Sequence, residues 1–281
     1  MSTRVTARPL TATRIGLPAR ATVVQRPPGT TVLSTHRQVV NLMAPGGDLL
    51  ALVAPAIGAG PFNIVLNHWP SAMMNLTPGM AVEFTPSALR VGTWHVNLAA
   101  ASLWQPEPDW ADVAQAPALE AGIETLRRCL LDEPTWPLAR QLDHVTAQAL
   151  WARIEVVNQA STNSAQADAL AALIGLGPGL TPAGDDWLAG WLVRWHLAAA
   201  TLAAAATLSP PLRVADLTST TRLSQALLRA ARAGWVDEAW EGLLAALAAN
   251  EAVVVQRQAR LILQHGATSG CAMLAGFLRS L

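Results

Sequence analysis

The segment WQPEPDW, residues 104–110, divides the chain into two kinds of sequence, and this division constrains the fold more than any other feature. Before it, from about Ala21 onward, apolar and β-branched runs are cut by Pro-Gly, Gly-Gly-Asp and Thr-Pro-Gly, as in TVVQRPPGTTVLS, QVVNLMAPGGDLLALV and GMAVEFTPSALRVGTWHVNLA. Runs of that length are strands and breaks of that kind are turns. Pro106 and Pro108 cannot donate to a ladder, so the sheet stops there. Beyond them Ala, Leu, Gln and Arg recur with helical spacing, which predicts helices over 111–131, 138–159, 165–174, 184–208, 219–233, 236–249, 252–264 and 269–281. Strands segregated from helices make an α+β protein: an N-terminal β-sheet or small β-barrel domain over 1–105, then a C-terminal α-helical bundle domain over 106–281.

Composition narrows the partners. Lys+Arg 19 balances Asp+Glu 19, and only 14% of the residues are charged, so no net field would draw the chain to nucleic acid or an anionic membrane. Hydrophobic residues reach 52% and include eleven tryptophans, which predicts apolar surface covered by partner subunits or by further copies of the chain. Cys129 and Cys271 have no CxxC or Cys/His spacing, which argues against a disulfide framework or a zinc site and fits a reducing cytoplasm. The basic N-terminus lacks the apolar run of a secretory signal. Residues 187–208 are long enough to span a bilayer but carry Arg194 and His196 in their middle, so they read as a buried helix, with no membrane role.

Chemistry concentrates in GLGPGLTPAGDDW, residues 175–187. Gly175, Gly177 and Gly179 permit positive φ, and Thr181 before Pro182 is a good helix start, so loop and helix N-terminus make a small-anion site. Neither GxxxxGK[ST] nor GxGxxG in its strand-to-helix setting is present. Asp185 and Asp186 fall in the first turn, where they offset the helix dipole. Adjacent positions project about 100° apart, and Trp187, Leu188, Trp191, Leu192 and Trp195 cover most of the circumference, so at least one carboxylate faces packed protein and needs a partner. Two hydroxyl-rich helix starts can supply one: TSTTRLS (residues 218–224, with Arg222) and HGATSG (residues 265–270). Brought together with the glycine loop, they would line one pocket for a small polar ligand with an anionic end and NH donors. His68, His95 and His144 have no ligand-like spacing, and His196 lies about 16 Å along the helix from Asp185.

GLGPGLTPAGDDWLAG, TSTTRLSQALLRAARAG and GATSGCAMLAGFL together resemble the bacterial family that includes AllH, a subunit of oxamate carbamoyltransferase from anaerobic allantoin catabolism. STHRQVVNLMAPGGDLLALV and GPFNIVLN extend the resemblance into the β-rich half. It implies a subunit that acts with partner proteins to exchange a carbamoyl group between oxalurate and phosphate, giving oxamate and carbamoyl phosphate. The matching positions are Gly177, Gly179, Thr181, Gly184, Thr221, Ser224, Thr268, Ser269 and Gly270 as substrate-binding residues, with Asp185 and Asp186 as the catalytic pair. The chain departs from the family pattern at Ala267, where relatives carry histidine, and near Ala272, where an acidic residue follows; His265 does not replace that histidine.

In this reading an anion lies on the loop amides. One aspartate accepts NH groups of a ureido or carboxamide substrate and moves a proton, with backbone donors, Thr268, Ser269, Arg194 or Arg222 stabilising the oxyanion. No cofactor is required. Two other classes remain: a non-catalytic interaction subunit docking through its tryptophan-rich surface, and a phosphate-binding enzyme whose aspartates hold Mg²⁺, against which stands the absence of a lysine in the loop.

Overall fold

The computed structural model describes residues 10–105, 107–202 and 209–279, which fall into two compact units divided between residues 106 and 107. In the first unit β1 (Leu10–Gly16) runs into a short helix, α1 (Leu17–Gln25), and then β2 (Thr31–Thr35), β3 (Val39–Met43), β4 (Leu49–Val53), β5 (Asn63–Leu66), β6 (Val82–Phe84), β7 (Ala88–Val91), β8 (Trp94–Asn97) and β9 (Ser102–Trp104) follow. They form one sheet in the order β2-β3-β4-β5-β1-β8-β7-β6, with β9 on β1. Its ends meet: Thr31 bridges Ala81, and the Val32 and Val82 amides donate to the Met80 and Thr30 carbonyls at 2.8 and 2.9 Å. The sheet is therefore a nearly closed β-barrel, which leaves few unpaired edge groups.

Alternation explains the interior. Val32, Val40, Leu42, Leu50, Leu52, Ile64, Leu66, Leu89, Val91 and Val96 form one buried cluster, while Ala51, Val53 and Val65 pack on the opposite face beneath Trp104. β4 is thus buried on both sides, as its unbroken LLALV demands. Gly47 at φ +93° and Gly92 at φ +54° turn the β3–β4 and β7–β8 hairpins.

The first half is not wholly sheet, although its turn punctuation predicts strands alone. Residues 17–25 are helical because Pro18 sits in the first turn, Ala19, Thr22 and Val23 bury one face, and Arg26 closes the helix in the left-handed region at φ 49°. β1 also begins well before Ala21; its pairing with β5 shifts register between Ala12 and Arg14, which breaks the alternation that would mark it in sequence.

The second unit is helical: α2 (Trp110–Gln115), α3 (Leu119–Leu131), α4 (His144–Gln159), α5 (Asn163–Ala171), α6 (Ala183–Ala200), α7 (Arg222–Arg232), α8 (Glu238–Ala249), α9 (Ala252–Leu263) and α10 (Ser269–Leu278). The expected helix 111–131 is split ahead of Leu119, where Pro117 denies the continuing ladder a donor, and 138–159 opens with a 3-10 turn before Asp143 caps α4. The expected 184–208 helix ends at Ala200; residues 203–208 lie outside the described residues.

α6 and α10 form the centre and contribute to both helical cores. They touch backbone to backbone: a Cβ on Gly190 would lie 1.7 Å from the Met273 carbonyl oxygen, and one on Gly276 would lie 1.9 Å from that of Trp187. Trp187, Trp191 and Trp240 are buried and, among the eleven tryptophans, only Trp151 is exposed. Trp69, Trp94, Trp104, Trp110, Trp136 and Trp195 are partly buried and pack against the cores. Among the described residues no helix is long and apolar enough to cross a membrane.

Candidate functional site

Residues 175–182 link α5 to α6. Gly175, Gly177 and Gly179 have φ of +72°, +112° and +99°, the left-handed region that excludes most side chains. A Cβ on Gly175 would sit 2.8 Å from the Ser219 carbonyl oxygen and one on Gly177 would sit 3.1 Å from the Ala183 nitrogen, so two of the glycines are needed for space as well as φ. Gly179 has open surroundings and is exposed. Gly184 lets the loop fold back: its Cβ would meet the Leu173 carbonyl oxygen at 2.1 Å, and its amide donates to Leu176 O at 2.9 Å.

The three hydroxyl-bearing helix starts converge on this loop. Thr221 caps α7 by accepting from the Ser224 amide at 3.1 Å and donates its own proton to Leu180 O at 2.5 Å, which the Ser224 hydroxyl also reaches at 3.4 Å. From the other side the Thr181 and Ser269 hydroxyls meet at 3.0 Å, tying the loop to the start of α10. Its place before Pro182 predicts Thr181 as the cap of α6, but Pro182 holds that position, and the threonine side chain turns to Ser269 and Asp186. Thr268 occupies the cap of α10 without a capping side-chain bond, and Gly270 serves close packing, its Cβ position 1.8 Å from Ile262 O.

Both aspartates are 2% exposed, yet they face different partners. Asp185 is fully engaged inside the protein: Oδ1 accepts the Gly175 amide at 2.8 Å and Oδ2 accepts the Thr220 hydroxyl. It fastens the loop to the turn before α7. Thr220 is the partner that sequence reasoning passed over, although it lies in the quoted TSTTRLS. Asp186 receives hydrogen bonds from Ser269 and Thr181, but its Oδ2 is buried without a partner. Burial pushes its pKa from 3.8 up to about 7, against the two hydroxyls that lower it, while the charge of Asp185 raises it further.

An orphaned buried carboxyl oxygen costs about 1–3 kcal/mol. Ionised, Asp186 Oδ2 can accept a hydrogen bond or a proton; protonated, it can donate one. Asp185 is held by the loop and the turn before α7, and among the described residues no group of three or more His, Cys, Asp or Glu could hold a metal ion.

Other candidates point elsewhere. Arg194 pairs with Glu120 at 3.1 Å and lies over the Phe277 ring, about two turns along α6 from Asp186, so it does not serve this site. Arg222 stands exposed at the start of α7. His265 faces Asp237 at 3.7 Å. Cys271 is buried, donates to Thr135 O, and has its thiol pushed up to about 12 by burial, which rules it out as a nucleophile.

A small β-barrel followed by a helical unit, with hydroxyl-bearing helix starts tied to one glycine loop and its two buried carboxyls, defines an α+β protein of two units. Residues 12–103 match the family model described as the AllH family N-terminal domain, and residues 173–281 match the one described as oxamate carbamoyltransferase subunit AllH. Together the two matches cover most of the chain, which belongs to the AllH family. No curated protein and no solved structure matches it.

Proposed function

We propose that this chain is the subunit of an oxamate carbamoyltransferase-like complex that carries a carbamoyl-transfer site, exchanging the group between oxalurate and phosphate in allantoin nitrogen catabolism in the cytoplasm. The observation that carries this reading is Asp186: a buried carboxyl bonded to two hydroxyls, with one unused oxygen and a pKa near the middle of the physiological range. Such a group gives and takes a proton at neutral pH, a role typically worth about 10²- to 10⁴-fold in rate.

The transfer needs that proton. When phosphate displaces oxamate from the carbamoyl carbon, the leaving nitrogen must be protonated; in reverse, oxamate nitrogen must lose a proton to attack. Asp186 is assigned this exchange. Asp185, held by Gly175 and Thr220, positions the loop rather than reacting. Phosphate or the substrate carboxylate is assigned to the amides of Gly177 and Gly179, where Gly179 is open to solvent. Thr181, Thr221, Ser224, Thr268 and Ser269 are assigned to the same substrate.

The test is Asp186→Asn in the complex purified through a tag on this chain, with folding checked by thermal melt. Turnover is expected to fall by about 10²- to 10⁴-fold, with loss of the pH dependence near neutrality. Turnover equal to wild type removes the role. Ala267 also favours a second reading, binding without turnover; here oxalurate would raise the melting temperature of the chain although the complex converts none of it.

A further inference from the structure

Asp186 cannot itself meet a substrate from solution. Its residue is 2% exposed and its Oδ2 is sealed, so the groups between it and the outside are the hydroxyls bonded to it, Ser269 and Thr181. Both are partly exposed, and they differ in setting. Thr181 is β-branched and precedes Pro182, which fixes its backbone in an extended form. Ser269 is a primary alcohol at the first position of the ten-residue α10, and it is partly exposed.

Its surroundings are cleared by a glycine: a Cβ on Gly266, at φ +61°, would lie 2.9 Å from Ser269 Oγ. The remaining buried candidates are occupied, Ser224 fully buried against Leu180 O and Cys271 donating to Thr135 O.

We infer that Ser269 is the nucleophile that takes the carbamoyl group, with Asp186 behind it as the base that receives its proton. This rests on the carbamoyl-transfer reading above. Ser269 Oγ attacks the carbamoyl carbon of oxalurate as its proton moves to Asp186. The bond from that carbon to the oxamate nitrogen then breaks, and the nitrogen takes the proton from Asp186 by way of the Thr181 hydroxyl, leaving oxamate and an O-carbamoyl serine. Hydrogen phosphate attacks the same carbon through oxygen; its proton passes by Asp186 to Ser269 Oγ as the C–O bond breaks, and carbamoyl phosphate departs. The positive end of the α10 dipole faces the carbonyl oxygen as it gains charge. The raised pKa of Asp186 suits it to both proton transfers.

The mechanism separates into two half-reactions, which makes it testable in the wild-type complex. With phosphate omitted, isotopically labelled oxamate is expected to exchange into oxalurate, and mass spectrometry is expected to find a carbamoyl increment on Ser269 within the peptide of residues 261–279. Ser269→Ala should abolish the exchange and the increment, and Asp186→Asn should slow the exchange by about 10²- to 10⁴-fold. Ser269→Thr, which keeps a hydroxyl, provides a folded comparison if the alanine variant is unstable; it should retain measurable exchange. If the complete reaction runs but no exchange occurs without phosphate, or the increment falls on Thr181, Ser269 is not the nucleophile while the carbamoyl-transfer reading stands. If the complex performs neither reaction, both fall together.

Discussion

Asp186→Asn should change stability in a pH-dependent way whose sign follows from burial. The carboxyl has its pKa raised from 3.8 to about 7 in the folded chain, so the folded state holds this proton more tightly than the unfolded one. Stability from this group is therefore greatest at low pH and is lost as pH rises from about 4 through about 7. A shift of roughly three units at about 1.4 kcal/mol each makes the penalty about 4 kcal/mol above neutrality, of which about 2 kcal/mol is already present at about pH 5. Asparagine keeps the shape and carries no charge, but it places an unpaired amide donor where the free oxygen was, at a cost of about 1–3 kcal/mol at any pH. Relative to wild type, the variant should therefore gain about 2–3 kcal/mol between about pH 5 and pH 8, or roughly 5–10 °C in Tm for a unit of this size. Circular-dichroism melts of both proteins at the two pH values measure it, and the contributions of other titrating groups cancel in the difference. A Tm difference that is the same at both pH values would show that this carboxyl is not desolvated.

Gly276→Ala pits helix propensity against packing: propensity alone favours alanine by about 1 kcal/mol, but a Cβ 1.9 Å from Trp187 O should force α6 and α10 apart and leave a net loss of about 2 kcal/mol or more. A melt that rises instead of falling would contradict the close approach. Asp185→Ala leaves the Gly175 amide and the Thr220 hydroxyl without their acceptor and should cost about 2–4 kcal/mol, whereas Asp185→Asn should cost less because one oxygen still accepts. Limited proteolysis should then cut within 175–182 in the alanine variant first, and equal cutting in both would count against the clamp. Cys271, with its thiol pushed up to about 12, should resist an aromatic disulfide reagent until the chain unfolds, while the partly exposed Cys129 reacts in the native state.

The division into a β-rich and a helical half was legible because the change from alternation to helical spacing is long and is marked by Pro106 and Pro108. The positive φ of Gly175, Gly177 and Gly179 and the hydroxyl-rich start of α7 were legible for local reasons, though the helix begins at Arg222 and not at Ser219 as the spacing predicts. What escaped depends on contacts between distant positions. Thr181 looks like a helix cap until Ser269, 88 residues later, claims its hydroxyl, and Thr220 looks like one threonine among several until Asp185, 35 residues earlier, selects it. The unequal roles of two adjacent aspartates follow from those same contacts, so burial was readable and the division of labour was not. α1 was hidden differently: TVVQ has strand propensity, and only Pro18 with the 19/22/23 spacing tells against it.

The glycines at the crossing of α6 and α10 have a consequence for how this site can evolve. Most helix pairs are held apart by interlocking side chains, and exchanging a leucine for a valine there lets the spacing creep by fractions of an ångström over generations. Here the spacers are the peptide planes of Trp187 and Met273 themselves, which no substitution can trim. The gauge between the Thr181 loop and Ser269 is accordingly fixed by the width of two main chains, and a relative acting on a different molecule would have to differ in its loops while inheriting the same frame.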